Sequence, residues 1–298
     1  MKTHADYAHL QPTAATVAQK SDAERIRYLK AERWIGYPRA MQAVHELEDL
    51  LAMPKRDRMP NLLIVGPTNI GKTVIIRRFC RDHRRVSELG RERIPVLAMQ
   101  MPAVPTLARF YTALLDATEA PFSNNGRAAD LERVAVRVLR TTGVRVLIID
   151  ELHNILAAPT AVRHTFLNVL RSLGNELQIP LVGVGTRDAY LAVASDPQLE
   201  NRFRPFVLPL WKPDDEMLGL LASFERMLPL RRPSSIANES MAEYLLDRSG
   251  GTIGELSSLL VAASVTAITS GDECINQRSL AAAAYVGPKL RRQQVKDL

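Results

Sequence analysis

The rhythm of apolar and polar positions changes twice along this chain of 298 residues. Five short runs rich in Val, Ile and Leu stand out: Leu62 to Val65, Ile94 to Met99, Arg145 to Ile149, Leu181 to Gly185 and Phe206 to Leu210. Four of them are continuous rather than alternating, the pattern of strands covered on both faces of a parallel sheet. Between them, apolar residues recur at helical spacing over Gly71 to Arg85, Leu107 to Thr118, Ala129 to Thr141 and Arg163 to Leu177. This alternation predicts an α/β fold, a five-stranded parallel sheet flanked by helices and joined by right-handed crossovers. Upstream, helices are expected over Asp22 to Glu32 and Arg39 to Leu51. Beyond Trp211, Pro213-Asp214-Asp215-Glu216 opens a purely helical pattern that runs to about Val286. The expected organisation is a flexible tail over 1–20, a helical segment over 21–60, the α/β core over 61–212, a small all-helical domain over 213–287 and a basic tail over 288–298.

With 46% hydrophobic and 24% charged residues, the composition is ordinary for a globular protein and excludes collagen-like, mucin-like and wholly disordered chains. The net charge of +7 permits a polyanionic partner without requiring one. Cys80 and Cys274 lie far apart, and no secretory leader is expected. That points to a reducing, cytoplasmic compartment and away from a disulfide framework or a cysteine zinc site. The longest nearly apolar stretch, Leu259 to Ile268, is interrupted by Ser264 and Thr266 and falls short of the ~20 residues that span a bilayer. No membrane segment is expected.

Gly66-Pro67-Thr68-Asn69-Ile70-Gly71-Lys72-Thr73 completes the pattern G-x-x-x-x-G-K-[ST] between an apolar strand and a helix. Such a loop wraps phosphates with backbone N–H groups, while Lys72 reaches the β and γ phosphates and Thr73 ligates magnesium. Val74 follows at the start of the helix, and ATP with Mg²⁺ is the cofactor pair the loop implies. Val146-Leu147-Ile148-Ile149-Asp150-Glu151 ends a buried strand in two carboxylates. Asp150 suits the magnesium and Glu151 the attacking water, which favours hydrolysis over transfer to a metabolite. The same acids can also simply cap the next segment. Thr186, at the tip of the fourth run, can reach the γ-phosphate or its water, or serve as an ordinary helix cap. Arg202 precedes the last run and can enter a neighbouring subunit's site, or remain a solvated arginine.

His153 has no His or Cys at ligand spacing, so packing or sensing of Glu151 suits it better than a metal. Thr252 and Glu255 have capping-box spacing, which makes Glu255 structural. Seven arginines against three acids between residues 77 and 93 either follow phosphates or form a solvated helix face.

Taken together, the sequence resembles the TniB family of AAA+ ATPases from Tn7-like and Tn5053-like transposons, relatives of the phage Mu target-selection ATPase. The resemblance runs from Trp34 to Leu260. It is carried by Trp34-Ile35-Gly36-Tyr37-Pro38-Arg39-Ala40, the P-loop with its approach Arg58-Met59-Pro60-Asn61, Asp150-Glu151-Leu152-His153-Asn154, Gly183-Val184-Gly185-Thr186 and the Arg202-Phe203 context. It implies an AAA+ core with a helical lid, in which Lys72, Thr73, Asp150 and Glu151 take their family roles, Thr186 is sensor 1 and Arg202 the arginine finger. Ile35 and Tyr37 would lie near the adenine, and Thr106, Arg109 and Arg127 would face DNA.

The implied activity is ATP hydrolysis by a ring or helical filament that assembles on double-stranded DNA without sequence preference. Its implied partners are a DDE transposase and a TniQ-like targeting protein, in a bacterial, DNA-associated setting. A departure is the segment Gly250 to Leu256, which lacks the arginine many AAA+ lids place there. Rival readings are a helicase-loader-like DNA-remodelling ATPase and a nucleotide-gated switch that binds a protein partner.

Overall fold

A computed structural model describes residues 7–88, 91–123 and 126–296. The first elements are α1 (Pro12–Ala18), α2 (Asp22–Lys30), α3 (Pro38–Ala52), β1 (Asn61–Val65) and α4 (Lys72–Asp82). Next come β2 (Val86–Glu88), β3 (Arg91–Arg93), β4 (Val96–Gln100), α5 (Leu107–Thr118), α6 (Ala128–Thr141) and β5 (Val146–Asp150). A 3-10 helix (Leu152–Ala157), α7 (Thr160–Leu177), β6 (Leu181–Gly185), α8 (Arg187–Ala194), α9 (Pro197–Glu200) and β7 (Phe203–Val207) follow. The last are α10 (Asp215–Met227), α11 (Glu239–Ser249), α12 (Ile253–Ser270), α13 (Gln277–Ala281) and α14 (Pro288–Lys296). The chain forms two compact units: residues 39–209, and the segment before Arg39 joined with the segment from Leu210 onwards.

In the first unit, five strands form a parallel sheet in the order β4-β5-β6-β1-β7. β1 and β6 are buried throughout and β5 in its first four residues, which is why their sequences read as unbroken apolar runs. The edge strand β7 covers Phe203–Val207 rather than the expected Phe206 to Leu210. It buries only Phe203 and Phe206, and Pro205 sits between them. A proline has no N–H for a ladder, and an edge strand paired on one side tolerates it. Leu63, Leu147, Phe110, Phe166 and Leu170 belong to one buried core that joins the sheet to its helices. Phe110 meets Phe166 edge-on at 5.9 Å between ring centroids. The helix expected to reach Arg85 stops at Asp82, and the antiparallel pair β2–β3 takes over the arginine-rich stretch.

The other unit is helical, and two expectations are corrected there. The described part of the expected flexible tail contains α1, whose Ala14, Val17 and Ala18 are buried with Leu10. Gln11 N donates to Arg226 O at 2.9 Å, and His9 Nε2 bonds Leu230 O at 3.0 Å, so this stretch is anchored. The expected basic tail carries α14, pinned by Lys289 to Asp247 and by Arg291 to Glu255.

In α2 the capping box of Ser21 and Glu24 satisfies two orphan N–H groups. Arg25, fully buried on α2, donates to the Pro229 carbonyl and to both oxygens of Glu273, with Asp22 at 3.1 Å. α12, at 18 residues, is long and apolar enough to cross a membrane by length and composition, unlike the ten-residue stretch expected. Its Leu256, Leu259, Leu260, Ala263, Ala267 and Ile268 are buried, and it packs against α2, α11 and α13 as a core helix does.

Candidate nucleotide site

All five sheet strands run parallel, so the residues that follow them emerge at one end. Gly66 follows β1, Thr186 follows β6 and Asp150-Glu151 ends β5. β6 lies between β1 and β5, which sets Thr186 between the Gly66–Thr73 loop and the two carboxylates.

The loop needs its glycines. A Cβ at Gly66 would stand 2.5 Å from the Leu208 carbonyl oxygen, a distance that no side chain tolerates. Gly66 N donates across the sheet end to Gly185 O at 3.2 Å. Gly71, at φ 94°, occupies the left-handed region, and Asn69 shares it at φ 65°. Ile70 is buried and anchors the loop from below, while Pro67, Thr68 and Asn69 are exposed. Lys72 is buried, and its Nζ donates to the Gly66 and Pro67 carbonyls at 2.8 Å each, spanning the loop. Burial pulls its ammonium below the usual lysine range, partly offset by the Glu151 and Asp150 carboxylates.

Thr73 Oγ1 donates to Asp150 Oδ2 at 2.9 Å, joining the two expected magnesium residues directly. Asp150 Oδ1 accepts the Glu151 N–H at 2.8 Å, so one oxygen caps locally and the other faces Thr73. Glu151 has φ 53° and makes no capping bond; its Oε2 lies 3.1 Å from His153 Nε2. His153 Nδ1 is buried without a hydrogen-bond partner, and a Cβ at Gly185 would reach within 3.1 Å of it. Gly185 therefore makes room first for Ala189, whose Cβ would lie 2.7 Å away, and then for the imidazole beside Glu151.

Thr186 stands at the N-cap position of α8 but makes no capping bond, and its Oγ1 is buried and unpartnered. A buried hydroxyl without a partner is costly, so this one is available to an incoming polar group.

Arg202 is elsewhere. Its carbonyl accepts from Asn61 N at 2.9 Å, at the start of β1, the opposite end of the sheet from the loop. Five strand residues at about 3.3 Å each put roughly 16 Å between these ends. Arg202 Nη1 donates to Asn175 Oδ1 at 2.7 Å. It cannot serve the loop of its own chain.

Thr106 caps α5 by accepting from Arg109 N at 3.2 Å, Arg109 Nη1 reaches the Val104 carbonyl at 3.4 Å, and Arg127 precedes α6. All three residues are exposed. Ile35 and Tyr37 belong to the helical unit, where buried Tyr37 meets Trp211 edge-on at 5.0 Å between centroids; burial pushes its phenol up to about 12. Val74 is half-buried in the first turn of α4. The capping box expected at Thr252 does not form: its hydroxyl makes no capping bond, and Glu255 instead accepts from Tyr285 OH at 2.9 Å and from Arg291.

In the sequence Asn154 stands only as part of the Asp150–Asn154 run, without a role of its own, and its Nδ2 ties the segment after β5 to the Met101 carbonyl at 3.0 Å; nothing in the spacing points to Asn175 beneath Arg202. Among the described residues, no group of three or more His, Cys, Asp or Glu could hold a metal on its own.

A G-x-x-x-x-G-K-T loop after β1, paired acids at the end of β5 and a polar tip on the strand between them define a P-loop fold of the AAA+ type. The solved structures similar to it agree. The Aeropyrum pernix ORC2 protein in its ADPNP-ADP complexes matches with TM-score 0.58 at 18% identity, over 91% of this chain and 74% of that one. The A. pernix ORC1 protein in complex with DNA gives 0.57 at 16%, over 91% and 69%. The Thermotoga maritima RuvB Holliday junction branch migration motor gives 0.51 at 15%, over 86% and 72%. No curated protein matches the chain. The family model of the bacterial TniB protein matches residues 25–213, and the chain belongs to the TniB family.

Proposed function

We propose that this protein is an ATP-hydrolysing AAA+ protein that assembles on duplex DNA in its ATP state and presents that DNA to a DDE transposase and a TniQ-like targeting protein. One observation carries the enzymatic part: Thr73 Oγ1 and Asp150 Oδ2 stand 2.9 Å apart beside buried Lys72. Those groups fit Mg²⁺ and ATP, since the oxygen donors suit a hard cation and the glycine cradle admits phosphate. When bound, magnesium would neutralise phosphate charge between Thr73 and Asp150. Glu151, held by His153, is the base that orients water, and Thr186 Oγ1 offers the hydrogen bond it makes to nothing else. Ile35 and Tyr37 are assigned to the adenine, and Thr106, Arg109 and Arg127 to DNA phosphates.

Arg202 acts on the nucleotide of a neighbouring copy. Its distance from its own loop supports this, because a guanidinium there serves a nucleotide only across a subunit boundary. The DNA and transposase parts rest on TniB membership, with the ORC1 protein solved with DNA as a parallel of the fold. A mobility-shift assay on labelled duplex DNA of unrelated sequences tests them. Binding is expected with ATP and not without it, weakening steeply as salt rises. Equal binding in both conditions contradicts ATP gating, and no binding in either favours the protein-binding switch.

A further inference from the structure

Arg202 lines a surface groove of about 570 Å³ together with Arg56, Arg58, Gln198 and Asn201. Arg56 and Arg58 come from the loop before β1, and Arg202 from the turn before β7. No carboxylate lines the groove among the described residues. Asp57, between the two loop arginines, accepts from Gln178 Nε2 at 3.4 Å instead. The side chains that touch the wall groups bring no negative charge: the Asn175 amide accepts from Arg202, and the cationic Arg171 donates to the Gln198 amide oxygen. Arg56 and Arg58 have no ion-pair partner among the described residues. A second cavity, of about 560 Å³, shares Arg202 and Asn201 but carries Glu46, Asp49 and Glu200. There Glu46 is taken by Arg204, and Glu200 accepts from Tyr190 OH. Three guanidinium groups without an ion-pair partner among the described residues therefore line one concavity at the end of the sheet remote from the chain's own loop, with Asp57, Asp49 and Glu200 outside its lining.

We infer that Arg56 and Arg58 join Arg202 as a trans-acting cationic clamp on the polyphosphate of ATP bound to a second copy of this chain. The inference rests on the shared-site reading of Arg202 above and extends it to two loop residues. Three guanidinium groups converging on a groove lined by no acid favour a multiply charged anion there, and a nucleotide polyphosphate carries several charges in a small volume. Arg202 then acts on charge that develops in the reaction, and the loop arginines act on charge that is present throughout. Their loss weakens subunit association more than turnover within an assembled complex.

The test uses full-length Arg56→Ala/Arg58→Ala protein, in which both changed residues are exposed. ATP turnover is measured against protein concentration. The half-activating concentration is expected to rise at least tenfold, with turnover at saturating protein within threefold of wild type. Binding of a fluorescent ATP analogue to dilute protein should change less than twofold, since the P-loop is untouched. Mixing the double variant with Lys72→Ala protein should restore activity at low concentration, because one partner brings the loop and the other the arginines. Unchanged half-activation overturns the clamp, as does failure of this mixture when Arg202→Ala plus Lys72→Ala recovers. If neither mixture recovers, the shared-site reading itself fails and the clamp falls with it. Unaltered turnover with duplex-DNA binding reduced tenfold assigns the arginines to DNA and overturns the clamp.

Discussion

At the scale of single residues, the site is a contest between close approach and burial, and each side makes a prediction. Gly66 is obligatory because a Cβ meets a backbone carbonyl at 2.5 Å, which cannot swing away. Gly66→Ala should cost about 1–3 kcal/mol, the range for overpacking, seen as a lowered thermal midpoint and a lost ATP signal. A variant as stable as wild type would show that the loop shifts freely. Lys72 is buried yet tied only to carbonyls of its own loop. If Lys72 serves the phosphates as proposed, its charge-assisted bonds there would be worth about 1.5–3 kcal/mol, so Lys72→Ala should weaken ATP binding on the order of 10- to 100-fold by calorimetry. Unchanged affinity would remove Lys72 from the site. Both residues are legible in the sequence because the P-loop is contiguous. Asn175 beneath Arg202 and the arginine groove are not, since they form only when separate elements meet.

Among the elements, legibility follows burial. β1, β5 and β6 read as strands because both faces are covered, whereas β7 hid behind Arg204 and Pro205 on an exposed edge. The arginine-rich β2–β3 pair has no apolar rhythm to read. α1, of seven residues, is too short to establish a period and is held by tertiary contacts. Thr252 and Glu255 had the right spacing, but Tyr285 and Arg291 capture the glutamate.

Arg25 and Glu273 bind α2 into the helical unit, and they define a prediction at this scale. Burial alone would raise the Glu273 pKa, but its bonds from Arg25 and Arg231 outweigh that and hold it below the usual 4.5. A carboxylate lowered in the folded state stabilises fully above its unfolded pKa and loses that contribution as pH falls through the folded value. Stability of the helical unit should therefore decline below about pH 4.5. Both tryptophans, Trp34 and Trp211, belong to this unit, so their fluorescence during urea unfolding reports it. Glu273→Ala leaves Arg25 buried without its main partner, which should cost about 3–5 kcal/mol and flatten the acid dependence. An acid profile identical to wild type would assign the dependence to other groups.

For the whole molecule, the proposal is a cycle in which ATP joins copies on DNA and hydrolysis parts them. In this proposal the placement of Arg202 remote from its own loop would make the cycle cooperative, since each nucleotide would be read by two chains. Under the proposal, Glu151 would be the lever that separates binding from hydrolysis. Glu151→Gln keeps the size of the side chain and a hydrogen bond but removes the base, so ATP should bind nearly as before while turnover falls by about 10²–10⁴-fold. Assemblies blocked in this way should persist. The decisive measurement is the dissociation rate from labelled duplex DNA after dilution, for wild type and Glu151→Gln, in ATP and in a non-hydrolysable analogue. The account predicts that the variant outlives wild type at least tenfold in ATP and matches it in the analogue. A variant that leaves DNA as fast as wild type in ATP would contradict hydrolysis as the release step.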